Sequence, residues 1–243
     1  MKFLVATLLA MLATFATAEP VQVAVAANFA SPLKQLVAHY EKHQPDADIQ
    51  LTIGSTGKLA VQIRQGAPYD IFLAADDRRP AELAREGLLQ ADSVRTYARG
   101  ILVLWTPKPG VPLGPEVLRE GLIQPLALAN ARTAPYGQAA ESVLAALSVP
   151  DAVPRVRGEN VGQSYHFAHS GAAAAAFVAL SQVINAGGSQ WRVPDTLYSP
   201  IVQQGGRLSD REDVVAFFDF LFSETARDLI MQNGYRVGGA DAE

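Results

Sequence analysis

The sequence predicts an α/β protein of two lobes, and three observations support this fold class. Short apolar runs typical of strands alternate with helical patterns along the chain, which favours mainly parallel sheets flanked by helices. Residues 107–115 hold four prolines and two glycines, so this loop is predicted to lead from one lobe to the other. Four polar or glycine-rich corners join a strand to a helix, and two of them lie on each side of the loop.

The first lobe begins with three predicted strands, each followed by a helix. The apolar runs at 21–27, 49–53 and 71–75 have the length of buried strands. Ser31 is predicted to cap the first helix and Pro32 to lie in its first turn. Two further helices are predicted at 58–65 and 80–86, because Gly66 and Gly87 provide stop signals.

The second lobe repeats this alternation. After a strand at 101–106 and the proline-rich loop, the predicted strands and helices follow in the order strand 126–129, helix 137–147, strand 155–157, helix 162–169 and strand 175–180. Strand-like runs at 191–193 and 198–203 complete this part of the chain.

Two helices are predicted at the end of the chain. Ser209 and Glu212 have the spacing of a capping box, and Ser223 is predicted to cap the last helix, which Gly234 ends. We expect these helices to return to the first lobe. Lobe 1 is therefore predicted at 19–100 with 197–243, and lobe 2 at 101–196. A single doubly wound sheet is compatible with the same periodicities.

The first 18 residues have the pattern of a secretory signal peptide. Lys2 precedes an apolar run at 3–15, and Ala16, Thr17 and Ala18 precede the polar Glu19, so cleavage is expected after Ala18. The chain has no cysteine, which excludes disulfides, thiolate sites and a lipoprotein anchor. We expect an exported, soluble protein of the periplasm, without membrane insertion.

The charge balance restricts the partners. Without Lys2, the chain has 19 basic and 24 acidic residues, so nucleic acid is an unfavourable ligand. No amphipathic surface stripe remains for a partner subunit, and we expect a monomer. An anion would have to be bound by local donors, because the long-range field of an acidic protein repels it.

The four corners predict such an anion site. They are 26–29 (AANF), 54–58 (GSTGK), 133–137 (TAPYG) and 158–162 (GENVG). In α/β sheets, corners of this kind lie at the carboxyl edge of the strands, where ligands bind. Helix starts there present unpaired N–H groups and the positive end of the helix dipole, which together bind anions without lysine or arginine.

The individual residue types suggest how each corner contributes. Asn28 and Ser55 can donate through both side chain and backbone, whereas Tyr136 and Val161 are most useful through the backbone N–H alone. Gly54 and Gly57 are expected to allow close approach of the main chain to the ligand, and Lys58 is expected to be solvated.

Longer motifs around these corners resemble a known family. The segments AVAANF at 24–29, GSTGKLAVQI at 54–63, GAPYDIFLAAD at 66–76, RTAPYGQAA at 132–140 and GENVGQ at 158–163 are similar to the periplasmic molybdate-binding proteins of ABC transporters. The similarity extends in order from about residue 21 to residue 235. It implies a two-lobed periplasmic binding protein of type II, each lobe a mixed, mainly parallel sheet flanked by helices.

The resemblance also implies the ligand and its contacts. The ligand is molybdate or tungstate, held through its oxygens by neutral donors without direct metal ligands, and no cofactor is expected. The donors are placed on Asn28, Ser55, Tyr136 and Val161, with Thr56 and Asn160 as possible additions. The partner implied is the membrane permease of an ABC transporter.

Two other classes of function are alternatives to molybdate binding. A secreted hydrolase is disfavoured because the chain has no GxSxG elbow, and the pair His39 and His43 on one helix is expected to be solvated. A binding protein for another oxyanion, such as sulfate or phosphate, remains open. Glu159 could accept the proton of a protonated phosphate, and sequence does not measure the size of a cavity.

Overall fold

The computed structural model describes residues 19–238, so the predicted signal peptide lies outside the described residues, as do residues 239–243. The described strands are β1 (Val21–Ala26), β2 (Ile49–Gly54), β3 (Ile71–Leu73), β4 (Arg95–Gly100), β5 (Leu102–Thr106), β6 (Leu126–Ala129), β7 (Arg155–Gly158), β8 (Ala175–Ala179), β9 (Ser189–Arg192) and β10 (Ile201–Arg207). The helices are α1 (Ala30–His43), α2 (Thr56–Arg64), α3 (Arg78–Arg85), α4 (Pro115–Arg119), α5 (Pro135–Ala146), α6 (Val161–His169), α7 (Leu180–Val183), α8 (Glu212–Phe220) and α9 (Glu224–Gln232).

The strands form two separate five-stranded sheets. The first has the order β2-β1-β3-β10-β4 and the second has the order β7-β6-β8-β5-β9. In each sheet three strands are parallel, and the last two strands in the order run antiparallel to their neighbours. The predicted two-lobed α/β fold with mixed sheets is confirmed, and the alternative of a single doubly wound sheet is wrong.

The chain passes between the sheets twice. Ile101 alone separates β4 from β5, and residues 193–200 connect β9 to β10. The crossing predicted in the proline-rich loop 107–115 is wrong, because this loop follows β5, which already belongs to the second sheet. The helices α8 and α9 pack against the first sheet, where Phe217, Phe218 and Ile230 are fully buried. Two short crossings leave the carboxyl ends of the parallel strands of both sheets facing each other.

Two predicted caps are wrong. Ser31 does not cap α1, because the chain enters this helix from a 3-10 turn at Ala27–Phe29 and the helix begins at Ala30. Ser209 does not form a capping box, because α8 begins only at Glu212 and the Ser209 hydroxyl accepts a hydrogen bond from Arg211 N at 3.3 Å in the preceding turn. Ser223 caps α9 as predicted, with its hydroxyl accepting from Ala226 N at 3.2 Å.

The sequence does not predict strand β4. Its residues, RTYARG, lack apolar alternation because β4 is the edge strand of the first sheet: it pairs with β10 on one side, and on the other side only Arg99 bridges to Arg236 among the described residues. No helix within residues 19–238 combines the length and the apolar character needed to cross a membrane.

Candidate functional site

The four predicted corners meet at one small cavity between the two sheets. This cavity is lined by the six predicted residues, Asn28, Ser55, Thr56, Tyr136, Asn160 and Val161, together with small residues such as Gly54. The remaining positions hold glycine, alanine and Pro135, whose small side chains leave the main chain accessible. Residues that are more than 100 positions apart in the sequence are therefore brought around one small space.

The first sheet contributes Ser55 and Thr56, at the start of α2. Ser55 is the N-cap, and its Oγ accepts from Lys58 N at 3.4 Å, so its own O–H remains available to donate. Thr56 Oγ1 accepts from Ala75 N at 3.0 Å and thereby fixes the start of α2 against the end of β3. Both side chains are almost completely buried.

Asn28 lines the cavity, but its side-chain amide is already engaged. Nδ2 donates to Gln203 Oε1 at 2.8 Å and to Tyr235 Oη at 3.0 Å. An amide nitrogen has two hydrogens, so both are used inside the protein. In this arrangement, the donor that Asn28 can offer a ligand is its backbone N–H, whereas the sequence analysis expected the side chain to donate as well.

The second sheet contributes the starts of α5 and α6. Tyr136 is the second residue of α5, and Val161 is the first residue of α6. Neither backbone N–H has a hydrogen-bond acceptor among residues 19–238. The Asn160 side chain caps α6 by accepting from Gln163 N at 3.1 Å, which leaves Val161 N–H free to donate into the cavity.

The helix starts at the cavity favour a negative ligand without any cationic side chain. None of the described residues that line it carries a charge. Helices α2, α5 and α6 all begin at the cavity, so the positive ends of three helix dipoles converge there. Such a site can bind an anion.

The two lobes touch directly beside the cavity. Gly57 N donates to Thr133 O at 2.8 Å, and Arg79 Nη2 donates to Arg132 O at 3.1 Å. Gly57 does not line the cavity, contrary to the expectation that it lets the main chain approach the ligand. Its missing side chain lets the backbones of the two lobes meet.

The sequence predicts a solvated Lys58, but in the structure its ammonium group has a partner. It forms an ion pair with Glu159 across the cleft, and both side chains are about half exposed. Glu159 itself is not among the residues that line the cavity. The pair neutralises the carboxylate nearest to the fourth corner.

Behind the cavity lies a buried group of polar side chains that sequence reasoning missed. The first lobe contributes Gln203, Tyr97 and Tyr235 to this group. The second lobe contributes Tyr136, which is hydrogen-bonded to Gln203, and Ser181, which is hydrogen-bonded to Tyr235. Burial raises the pKa of the Tyr235 phenol to about 12 and the pKa values of Tyr97 and Tyr136 well above the usual range. All three phenols are therefore neutral at physiological pH, and the Tyr136 phenol oxygen accepts a hydrogen bond from Gln203 Nε2.

The only sequence signal for this group is weak. In β10, positions 201, 203 and 205 face the interior, and Gln203 is the polar member of that inward-facing series. A buried polar side chain requires hydrogen-bond partners, but the sequence does not identify them.

The histidines do not form a metal site. His43 Nδ1 donates to His39 O at 2.8 Å, and the His39 ring stacks on Phe220 with a centroid distance of 5.9 Å. Within residues 19–238, no three histidine, aspartate or glutamate side chains converge in a way that could hold a metal ion.

Comparison with known proteins gives consistent similarities over the whole described chain. The family described as bacterial extracellular solute-binding protein matches residues 21–236. The molybdate-binding protein ModA of Azotobacter vinelandii is 43% identical over 235 residues, covering 93% of both chains. The ModA protein of Rhodobacter capsulatus is 39% identical over 230 residues, covering 92% of this chain and 91% of the relative.

Solved structures show the same fold. The periplasmic molybdate-binding protein of Azotobacter vinelandii superimposes with a TM-score of 0.86 at 35% identity, covering 90% of this chain and 100% of that chain. The sulfate-binding protein SubI of Mycobacterium tuberculosis has a TM-score of 0.75 at 11% identity, which shows a shared fold alone.

Proposed function

This chain belongs to the bacterial extracellular solute-binding protein family, and on that premise we propose that it captures molybdate or tungstate and delivers it to an ABC transporter permease. The observation that carries the proposal is the convergence of three helix starts on a small cavity without charged side chains. We place the protein in the periplasm, as a monomer, after cleavage following Ala18. The site has no catalytic role and uses no cofactor.

Binding follows from the chemistry of the donors. Molybdate is a fully deprotonated tetrahedral dianion, so all its oxygens accept hydrogen bonds and none needs an acceptor from the protein. The Ser55 hydroxyl and the backbone N–H groups of Asn28, Tyr136 and Val161 supply donors from both lobes. Thr56 and Asn160 support the corners that present them.

Glu159 bears on the choice between oxyanions. A protonated phosphate needs an acceptor for its proton, and Glu159 is the carboxylate closest to the corners. It pairs with Lys58 and does not line the cavity, which supports a fully deprotonated anion as the ligand.

The division of donors between lobes implies motion. A site completed only when both lobes meet gives the closed form extra contacts with the ligand, so the ligand shifts an open–closed equilibrium toward the closed form. The closed form then presents a surface made by both lobes to the permease.

Calorimetric titration of the purified protein with molybdate, tungstate, sulfate and phosphate tests the function. We expect tight binding of molybdate and tungstate, and much weaker binding of the other two. Absence of heat with both molybdate and tungstate would contradict the proposal, and preference for sulfate or phosphate would change the ligand class.

Ser55→Ala is expected to weaken molybdate binding by about 10- to 150-fold, since a hydrogen bond to a charged group is worth roughly 1.5–3 kcal/mol. It also removes an N-cap and should lower the free energy of unfolding by about 1 kcal/mol. Ser223→Ala is the matched control, because it removes an equivalent cap of α9 away from the cavity. Calorimetry and thermal unfolding should show the same stability loss in both variants but an affinity loss only at Ser55.

Lys58→Met is expected to weaken binding by less than about fivefold, because an exposed ion pair contributes at most about 1 kcal/mol. The effect should shrink further at high salt. Titrations at low and high ionic strength measure it, with the double variant Lys58→Met, Glu159→Gln as the charge-balanced control. A loss larger than that of Ser55→Ala would mean that cationic attraction, and not neutral donors, holds the anion.

A further inference from the structure

Gln203 is a fully buried polar side chain at the point where the two sheets meet. It lies on β10, where the pairing with β4 shifts register between Gln203 and Gln204. Its Oε1 accepts from Asn28 Nδ2 at 2.8 Å and from Tyr97 Oη at 3.0 Å, and its Nε2 donates to Tyr136 Oη at 3.3 Å. Both ends of the amide are therefore hydrogen-bonded.

These contacts join two corners of the anion cavity that belong to different lobes. Asn28 follows β1 in the first sheet, and Tyr136 begins α5 on the second sheet. The Tyr136 side chain reaches across to Gln203 while its backbone N–H remains at the cavity. One side chain thus touches a donor residue from each half of the site.

Gly100 leaves the space in which this contact is made. A Cβ at this position would lie 2.1 Å from Tyr136 Oη and 2.7 Å from Gln203 Nε2. Gly100 is the last residue of β4, directly before the chain crosses into the second sheet. The crossing point of the chain and the contact between the corners therefore coincide.

A second contact holds the Asn28 corner from the other side. Ser181 Oγ, from α7 on the second sheet, donates to Asn28 O at 2.9 Å, and Tyr235 Oη donates to the same carbonyl at 2.8 Å. The side chain and the carbonyl of Asn28 are both fixed, which sets the direction of the backbone at this corner.

We infer that Gln203 is a positioning residue of the oxyanion site: by binding Asn28 and Tyr136 together, it sets the distance between a first-lobe donor and a second-lobe donor in the closed protein. This inference rests on the proposed function. Gln203 does not line the cavity, so it acts on the anion only through these two residues. Hydrogen bonds impose direction, whereas apolar packing alone would leave the relative placement of the corners less defined.

The first test replaces Gln203 by methionine, which has similar length but no hydrogen-bonding amide. We expect Gln203→Met to weaken molybdate binding by about tenfold or more, because several buried partners lose their hydrogen bonds and the corners lose their alignment. Gln204→Met is the matched control on the same strand, since the Gln204 side chain donates a hydrogen bond to Thr96 at the surface. It should bind molybdate like the unchanged protein.

A stability control separates positioning from general damage. Phe217→Leu changes a fully buried residue of the first lobe that is remote from the cavity, and it should lower the melting temperature without changing the affinity. If Gln203 were only a structural residue, Gln203→Met would behave in the same way. The inference is supported if Gln203→Met loses affinity for molybdate while its melting temperature is similar to that of Phe217→Leu.

Tyr136→Phe provides a second variant that does not depend on the folding of Gln203→Met. It removes the phenol oxygen bonded to Gln203 and keeps the backbone N–H at the cavity. We expect weaker molybdate binding in Tyr136→Phe, and a combined effect with Gln203→Met that is smaller than the product of the two single effects.

The outcomes distinguish this inference from the proposed function. If the unchanged protein binds molybdate while Gln203→Met and Tyr136→Phe bind it equally well, the positioning role is wrong and the function stands. If the two effects multiply independently, the residues do not act through each other and the inference is also overturned. If the unchanged protein does not bind molybdate, the proposed function itself fails.

Discussion

Gly57→Ala is expected to weaken molybdate binding by about a hundredfold while leaving the unliganded protein at least as stable as before. A Cβ at Gly57 would lie 2.9 Å from Thr133 Cα and 3.0 Å from Thr133 O, both backbone atoms of the opposite lobe. Atoms of a backbone cannot move aside as a flexible side chain can. The lobes must therefore separate to make room, at a cost of roughly 1–3 kcal/mol for such overpacking, of which the upper part corresponds to about a hundredfold.

The stability of the unliganded protein should change in the other direction. Gly57 lies in the first turn of α2, and alanine favours a helix by up to about 1 kcal/mol over glycine. An open form, in which Thr133 is distant, gains this preference without the clash. The substitution is thus expected to trap the open form rather than to unfold the protein.

Calorimetry, thermal unfolding and X-ray scattering together test this prediction. The unchanged protein should become more compact with molybdate, whereas Gly57→Ala should not. Gly114→Ala is a suitable control, because the nearest atom to its added Cβ is 3.5 Å away on the flexible side chain of Glu116. Full affinity and normal compaction in Gly57→Ala would show that this contact does not limit closure.

Local signals were sufficient to predict the corners of the site. A strand followed by Asn, Ser or Gly and then by a helix start is encoded within five or six residues, and this pattern placed Asn28, Ser55, Tyr136 and Val161 at helix starts. The alternating periodicities predicted the two-lobed arrangement. The crossing predicted in the proline-rich loop 107–115 was wrong, because this loop follows β5, which already belongs to the second sheet. The edge strand β4 could not be predicted because its polar residues have no such periodicity.

Contacts between the lobes could not be predicted in the same way. The meeting of Gly57 with Thr133 and of Gln203 with Tyr136 depends on the direction in which two sheets approach each other, which no local pattern encodes. The same reason explains Lys58, which has a partner only because Glu159 arrives from the other lobe. The sequence predicts that Asn28 lies at the cavity. It does not predict that the Asn28 side chain is hydrogen-bonded to Gln203 and Tyr235.

Backbone donors are the part of the site that ordinary side-chain substitutions do not reach, and Val161 offers a way to remove one of them. Val161 is the first residue of α6, a position where proline is well tolerated because its missing N–H would have no partner within the helix. The preceding residue, Asn160, has φ −144° and ψ 172°, an extended conformation that is compatible with a following proline. The structure therefore permits Val161→Pro without a rearrangement of the helix start.

Val161→Pro is expected to weaken molybdate binding by about 10- to 150-fold, the equivalent of one hydrogen bond to a charged ligand at roughly 1.5–3 kcal/mol, with little loss of stability. Val161→Ala is the matched control: it keeps the N–H and removes buried methyl groups, so it should lose stability but keep its affinity within a few-fold. Calorimetry and thermal unfolding of both variants should thus show opposite patterns. If Val161→Pro binds molybdate as tightly as the unchanged protein, the start of α6 does not donate to the anion, and the second lobe must hold it through Tyr136 N–H alone.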